Sequence, residues 1–220
     1  MLRMIRELID CMTNQMNELT ERYPALAECE EDIDAAVEAL ITAFENGGKL
    51  LLCGNGGSAA DCEHISGELM KGFLLSRPFS ETEMSEIYTR CPKALPVYGK
   101  LQRGLPAIPL PSLSSVISAS ANDISAGLAY AQAVAALGCR GDVLLAISTS
   151  GNAENVYNAA LAAKGADMTV IALTGSSGGR LASAADISIR VPENETYRVQ
   201  ELHLPVYHFI CASVEKRVFG

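Results

Sequence analysis

The stretch Leu50-Leu51-Leu52-Cys53-Gly54-Asn55-Gly56-Gly57-Ser58-Ala59-Ala60-Asp61-Cys62-Glu63-His64-Ile65-Ser66-Gly67-Glu68 decides the architecture. Leu50 to Cys53 predict a short buried strand, the Gly and Asn residues predict a turn, and Ser58 stands where a helix should begin. Glycines let the backbone approach an anion closely, and the amides and positive end of a new helix favour phosphate there. Asp61, His64 and Glu68 come further along the same helix. His64 and Glu68 are four apart, so they share a helix face and can grip one metal ion or one reacting atom. A phosphate seat and an acid–base or metal pair thus lie within one helix of each other.

Upstream, apolar residues from Leu2 to Leu19 fall at helical spacing until Tyr23-Pro24 ends the run. A second helix opens near Pro24, presents Leu26, Ile33, Val37, Leu40, Ile41 and Phe44, and stops at Asn46-Gly47-Gly48. Two amphipathic helices exceed what a small sheet needs for cover, so a subunit contact stands beside simple packing as an explanation. Downstream, the first helix should run to about Phe73. Residues 76–104, with Pro78, Pro92, Pro96 and the acidic Glu81, Glu83 and Glu86, then read as a long loop or small helical excursion. Ala107 to Leu110 is the next strand, and Pro109 marks it as an edge or an end. Asn122-Asp123 precede a helix capped by Ser125.

Val143 to Ile147, Met168 to Leu173 and Ile187 to Val191 are further strands, and Ser148-Thr149-Ser150-Gly151-Asn152 repeats the strand, hydroxyl-and-glycine turn, helix layout. Alternating strands and helices predict an α/β fold: a doubly wound, parallel five-stranded sheet with helices on both faces and an N-terminal helical pair. Ligands in such sheets sit at the carboxyl ends of the strands, where both loops lie. The last element, roughly Glu195 to Val218, carries Gln200, His203 and His208, and Pro205 should interrupt it. Gln200 and His208 are eight apart, on the order of 12 Å in a straight helix. One ion held by both from one chain requires a break near Pro205; otherwise the two come from two subunits.

A chain of 220 residues, 49% of them hydrophobic, can bury one full α/β core. A net charge of −9 argues against a nucleic-acid surface, which needs a clustered basic face, yet a nest of amides still admits a small anion. The 7 cysteines are scattered without C-x-x-C spacing and read as reduced thiols of a cytoplasmic protein. No apolar run approaches membrane-spanning length, and the first residues carry no signal-like core.

Gly54-Asn55-Gly56-Gly57-Ser58, Asp61-x-x-His64-x-x-x-Glu68, Asn122-Asp123, Ser148-Thr149-Ser150-Gly151-Asn152 and Gln200-Glu201-x-His203-x-x-x-x-His208 together resemble the phosphoheptose isomerases of the sugar-isomerase (SIS) domain family. The match is ordered and spans nearly the whole chain. The resemblance implies a single SIS domain over 1–220, with residues 1–47 in an oligomer interface. It also implies a homotetramer converting sedoheptulose 7-phosphate to D-glycero-D-manno-heptose 7-phosphate, with one zinc per site on His64, Glu68, Gln200 and His208. Ser58, Ser148, Thr149 and Ser150 then match phosphate-binding positions, with Asn55, Gly56 and Gly57 in the same loop. Asp61, Asn122 and Asp123 match positions near the sugar, and Glu68 and His208 match the proton-transfer pair. Three departures stand out: Ala153 where many members carry a further Ser, Gly72 in place of a basic residue that neighbouring Lys71 can substitute, and the longer 76–104 excursion.

Moving a hydrogen between C1 and C2 of a sugar through an enediol needs a base, an acid and a group that polarises the carbonyl. Glu68 as base, His208 as acid, and zinc or Asp123 at the oxygens meet those needs. Bland readings exist for each part. Gly56 serves turn geometry, Ser148 and Ser150 can cap the next helix, His203 is structural, and Cys53 and Cys62 are buried inert thiols. Two other functions compete, an isomerase for a pentose or hexose phosphate and a non-catalytic phosphosugar-binding module. The latter kind lacks the metal and acid–base residues present here.

Overall fold

The fold comes from a computed structural model that describes residues 16–220. Of the expected first helix, residues 16–22 are described and helical, with Met16 and Leu19 buried; the remainder lies outside the described residues. A 3-10 helix at Pro24–Cys29 leads without a break into α1 (Glu30–Glu45), so the second helical run opens at Pro24 as expected. Glu30, Glu31 and Asp32 occupy its first turn, where negative charge complements the helix dipole. Ile33, Ala36, Val37, Leu40 and Ile41 of α1 are buried in this chain's own core, which favours simple packing over a subunit contact for that stripe.

Strands β1 (Leu50–Cys53), β2 (Ala107–Pro109), β3 (Val143–Ser148), β4 (Thr169–Gly175) and β5 (Ile187–Val191) form one 5-stranded sheet in the order β2-β1-β3-β4-β5. Every neighbouring pair is parallel. Around it lie α2 (Gly57–Met70), α3 (Glu81–Arg90), α4 (Ser114–Ser120), α5 (Ala129–Leu137), α6 (Glu154–Gly165), α7 (Gly179–Ala184) and α8 (Thr196–Phe219). Strand residues alternate between two cores. Leu50, Leu52, Val143, Leu145, Ile171 and Leu173 pack with α1, α2 and α8. Leu51, Cys53, Leu144, Ala146, Val170 and Ala172 pack with α5, α6 and α7. A strand buried on both faces has no polar side to show, which is why each reads as an unbroken apolar run.

Pro109 ends the edge strand, as its missing N–H requires. The 76–104 excursion is helical over its middle: Ser80 and Glu83 form a reciprocal capping box at the start of α3, and a short turn of helix follows at Leu95–Tyr98, with irregular chain on either side. Two expectations are corrected. Helix α2 ends at Met70 rather than near Phe73, because Lys71 adopts an extended backbone. Helix α8 runs unbroken through Pro205. The carbonyl that loses its partner there belongs to Glu201, an exposed residue, where an unpaired acceptor costs less than in the core. Because strand order reverses at β1, the loops following β1 and β3 are neighbours at the switch point of the sheet, the place where such folds bind ligands.

Candidate active site

The turn after β1 opens with Gly54, where a Cβ would stand 2.8 Å from the Ser58 carbonyl oxygen. Gly56 has φ +56 and no atom within 4 Å of a Cβ, so backbone conformation alone demands glycine there. It serves as the N-cap of α2 without any side-chain cap, and the helix begins at Gly57, one residue before Ser58. Helix α6 likewise begins without a side-chain cap, its N-cap being Ala153. The capping role for Ser148 and Ser150 therefore fails; Ser150 Oγ instead accepts the Asn152 N–H within the loop at 3.2 Å. Asn55 and Asn155 exchange amide hydrogen bonds at 2.8 and 2.9 Å and tie the two loops together. Ser58 and Ala59 of α2 already donate to the carbonyls of Asn55 and Gly56, and Val156 of α6 donates to Asn155 Oδ1, so it is the positive field of two adjacent helix starts that favours an anion here. Ser58 and Ser148 are buried here, Thr149 is half-buried and Ser150 exposed. Gly151, at φ +66, leaves no room for a side chain against the Gly178 carbonyl.

Further along α2, His64 becomes the hub. Its Nε2 lies 3.3 Å from Glu68 Oε1 and 3.3 Å from His208 Nε2, while its Nδ1 lies 3.0 Å from the Tyr207 hydroxyl. That hydroxyl also reaches Asp61 Oδ1 at 3.3 Å. A phenol has one proton to give. Donated to the Asp61 carboxylate, it leaves the Tyr207 oxygen to accept from His64 Nδ1–H, and the His64 Nε2 lone pair then faces Glu68 and His208. Asp61 Oδ2 is buried without a partner, an acceptor suited to a hydroxyl donor. Burial raises the Asp61 pKa, against the pull of the Tyr207 hydrogen bond and of His64. Burial, and then the neighbouring His64, lower the pKa of His208 and favour its neutral form.

The chemistry of the donors fits zinc in kind: two imidazoles and a carboxylate. Ligand atoms on a tetrahedral zinc stand about 3.3 Å apart, the separation of His64 from each of its two neighbours. Even so, no group of three or more His, Cys, Asp or Glu side chains among the described residues is gathered closely enough to hold an ion. Gln200, the fourth expected donor, is elsewhere: a Cβ on Gly57 would stand 2.5 Å from its Nε2, so its amide covers the start of α2. With α8 unbroken, Gln200 and His208 stay about 12 Å apart along the axis. Asn122 and Asp123 lie in an exposed π-helical segment, Ala121–Ser125, bonded to each other at 2.7 Å and to none of these groups.

Lys71 Nζ stands 3.6 Å from Glu68 Oε2 and supplies the positive charge that Gly72 does not. At Gly72 a Cβ would collide with Gln102 and the Leu75 carbonyl, so the excursion occupies the space of a side chain. Cys53 and Cys62 are inert as expected: burial pushes the Cys53 thiol up to about 12 and that of Cys62 well above its ordinary value. His203 is fully buried, and neither of its ring nitrogens is hydrogen-bonded. Sequence reading missed Tyr207 and Asn155. It also missed Arg77 and Glu215, whose buried pair lies behind the site at 2.7 Å. Glu215 was detectable as a lone acid in the apolar stripe of α8; Arg77 carries no such signal.

The model of the SIS domain matches residues 13–100 and 80–175. A phosphoheptose isomerase of Shewanella denitrificans is 38% identical over 219 residues, covering 98% of this chain and 97% of that protein. A phosphoheptose isomerase of Shewanella frigidimarina matches to the same extent, 38% over 219 residues. The structure of a phosphoheptose isomerase from Francisella tularensis superposes with TM-score 0.73 at 31% identity, covering 98% of each chain. That of Neisseria gonorrhoeae gives 0.71 at 31%, covering 96% of this chain and 99% of the other. Full-length similarity in sequence and in fold therefore agree: the chain belongs to the SIS-domain family and, within it, to the phosphoheptose isomerases.

Proposed function

We propose that this chain is an aldose–ketose isomerase that converts sedoheptulose 7-phosphate to D-glycero-D-manno-heptose 7-phosphate. The observation that carries the reading is the approach of Glu68 and His208 to one nitrogen of His64, one helix away from the paired loops. From the first amides of α2 to His64 the helix advances about 10 Å, a span that suits a long phosphorylated sugar held at its phosphate. The loops 54–58 and 148–152 bind the phosphate, and Asp61 receives a sugar hydroxyl. Glu68 removes the proton from C1, the electron pair forms the C1–C2 double bond, and His208 in its protonated form supplies the proton to the C2 oxygen. Glu68 then returns its proton to C2 while His208 takes the one on O1, which gives the aldose and restores both groups. Asp123, exposed in the single chain, joins the site only if the assembly or the sugar brings it there.

Zinc, one per site, belongs to the proposal. His64, Glu68 and His208 would hold it in this chain once drawn together, and it would polarise the sugar oxygens as a Lewis acid. A homotetramer is proposed with it: an unbroken α8 means that Gln200 and His208 serving one ion come from two subunits. The free cysteines among the described residues suit a reducing cytoplasm. No described helix is long and apolar enough to cross a membrane.

The test is turnover of sedoheptulose 7-phosphate by the parent and by Glu68→Gln. Loss of about 10²–10⁴-fold in kcat with the fold retained is expected of a removed proton acceptor. Near-parent turnover by the variant removes Glu68 from the role of base. Activity on a pentose or hexose phosphate alone would move the proposal to a different sugar.

A further inference from the structure

Behind the site lies an ion pair that touches none of the proposed reacting atoms. Arg77 and Glu215 have side chains 0% and 1% exposed and meet at 2.7 Å. Charges withdrawn this fully from water persist only when their polar atoms are hydrogen-bonded, and here every nitrogen of the guanidinium and both carboxylate oxygens have a partner. Glu215 accepts the N–H groups of Phe73, Leu74 and Leu75 at 2.8, 2.7 and 3.1 Å. Arg77 donates to the carbonyls of Leu69 at 2.6 Å and Glu68 at 3.1 Å, acceptors orphaned at the end of α2. Its guanidinium also lies 4.7 Å from the centre of the Phe219 ring.

The pair is therefore joined to both halves of the proton-transfer couple. One link runs from Arg77 to the main chain of Glu68. The other runs along α8, where His208 and Glu215 are seven residues apart and so share a face. Glu215 also holds the amide of Phe73, whose ring lies 5.7 Å from that of His208. We infer that Arg77 and Glu215 are positioning residues: they lock the end of α2 to α8 and so set Glu68 and His208 against His64. The inference deepens the isomerase reading and rests on it for its catalytic consequence, while its geometric content stands apart from the substrate.

The three histidines make the test direct. His64 and His208 face the site, and His203 is buried elsewhere on α8. The ring nitrogens of the folded parent, Arg77→Lys and Glu215→Gln are compared by NMR at one pH, together with kcat and KM for sedoheptulose 7-phosphate. A positioning role moves the His64 and His208 signals, leaves that of His203 in place, and lowers kcat by about 10–100-fold with KM nearly unchanged, the scale of a misplacement near 1 Å. Folded variants whose His64 and His208 signals coincide with the parent's overturn the inference, as does a uniform displacement of all three. If Arg77→Lys does not fold, Glu215→Gln decides alone: displacement of the His64 and His208 signals without that of His203 supports the inference, and none refutes it. A parent without turnover on this sugar defeats the isomerase reading and leaves the NMR result to decide the positioning.

Discussion

His203 should make this protein acid-sensitive by an amount that can be worked out. Its ring is fully buried, and neither nitrogen has a hydrogen-bond partner. Burial lowers its pKa from 6.5 to about 4, with the backbone of Thr174 pulling weakly the other way without reaching hydrogen-bonding geometry. Between those values the folded ring binds fewer protons than the unfolded one, so stability rises with pH across that window and is level above it. At about 1.4 kcal/mol for each tenfold change, the full gap corresponds to roughly 3 kcal/mol. About 2 kcal/mol of it is lost on going from about pH 7.5 to about pH 5. Urea unfolding of the parent and of His203→Leu at both pH values, at one protein concentration, isolates that contribution. Acids such as Asp142 and Asp186, whose pKa values stay low against their burial through hydrogen bonds to Lys49 and Lys164, cancel in the double difference. The parent should lose about 2 kcal/mol more than the variant over this interval. Equal losses would show that the ring is hydrated or hydrogen-bonded in solution and refute the reasoning.

Two further outcomes follow from the site. Tyr207→Phe removes the hydroxyl between Asp61 and His64, and chelator competition should show zinc held about 10–100-fold more weakly, as when a ligand's outer hydrogen bond is lost; unchanged affinity would separate Tyr207 from the metal. Gly57→Ala places a Cβ 2.5 Å from Gln200 Nε2, so KM for the phosphorylated sugar should rise while the melting temperature holds, and an unchanged KM would remove Gln200 and this turn from the phosphate seat.

Much of the architecture was legible because burial on both faces prints a strand as an apolar run, and Leu50–Cys53 and Val143–Ser148 lie where such runs predict. The spacing of His64 and Glu68 announced a shared helix face for the same reason, since local geometry is set by periodicity. Pro205 misled because the cost of a proline in a helix depends on whether water can reach the carbonyl it abandons, a question of burial. The start of α2 slipped by one residue because Gly56 caps it by backbone conformation, without a side chain to read.

The sequence by itself determined the order of strands and helices, the two glycine turns and the pair His64 and Glu68, all of which depend on neighbours within a few residues. Only the tertiary structure decided that His208, 144 residues from His64, arrives at 3.3 Å from it, that Tyr207 rather than His203 turns toward the site, and that Gln200 stays at the loop. It alone revealed Arg77 closing on Glu215, 138 residues away. Such contacts depend on how whole elements pack, and packing compares the entire surfaces of helices and sheet, information that no local pattern of residues holds.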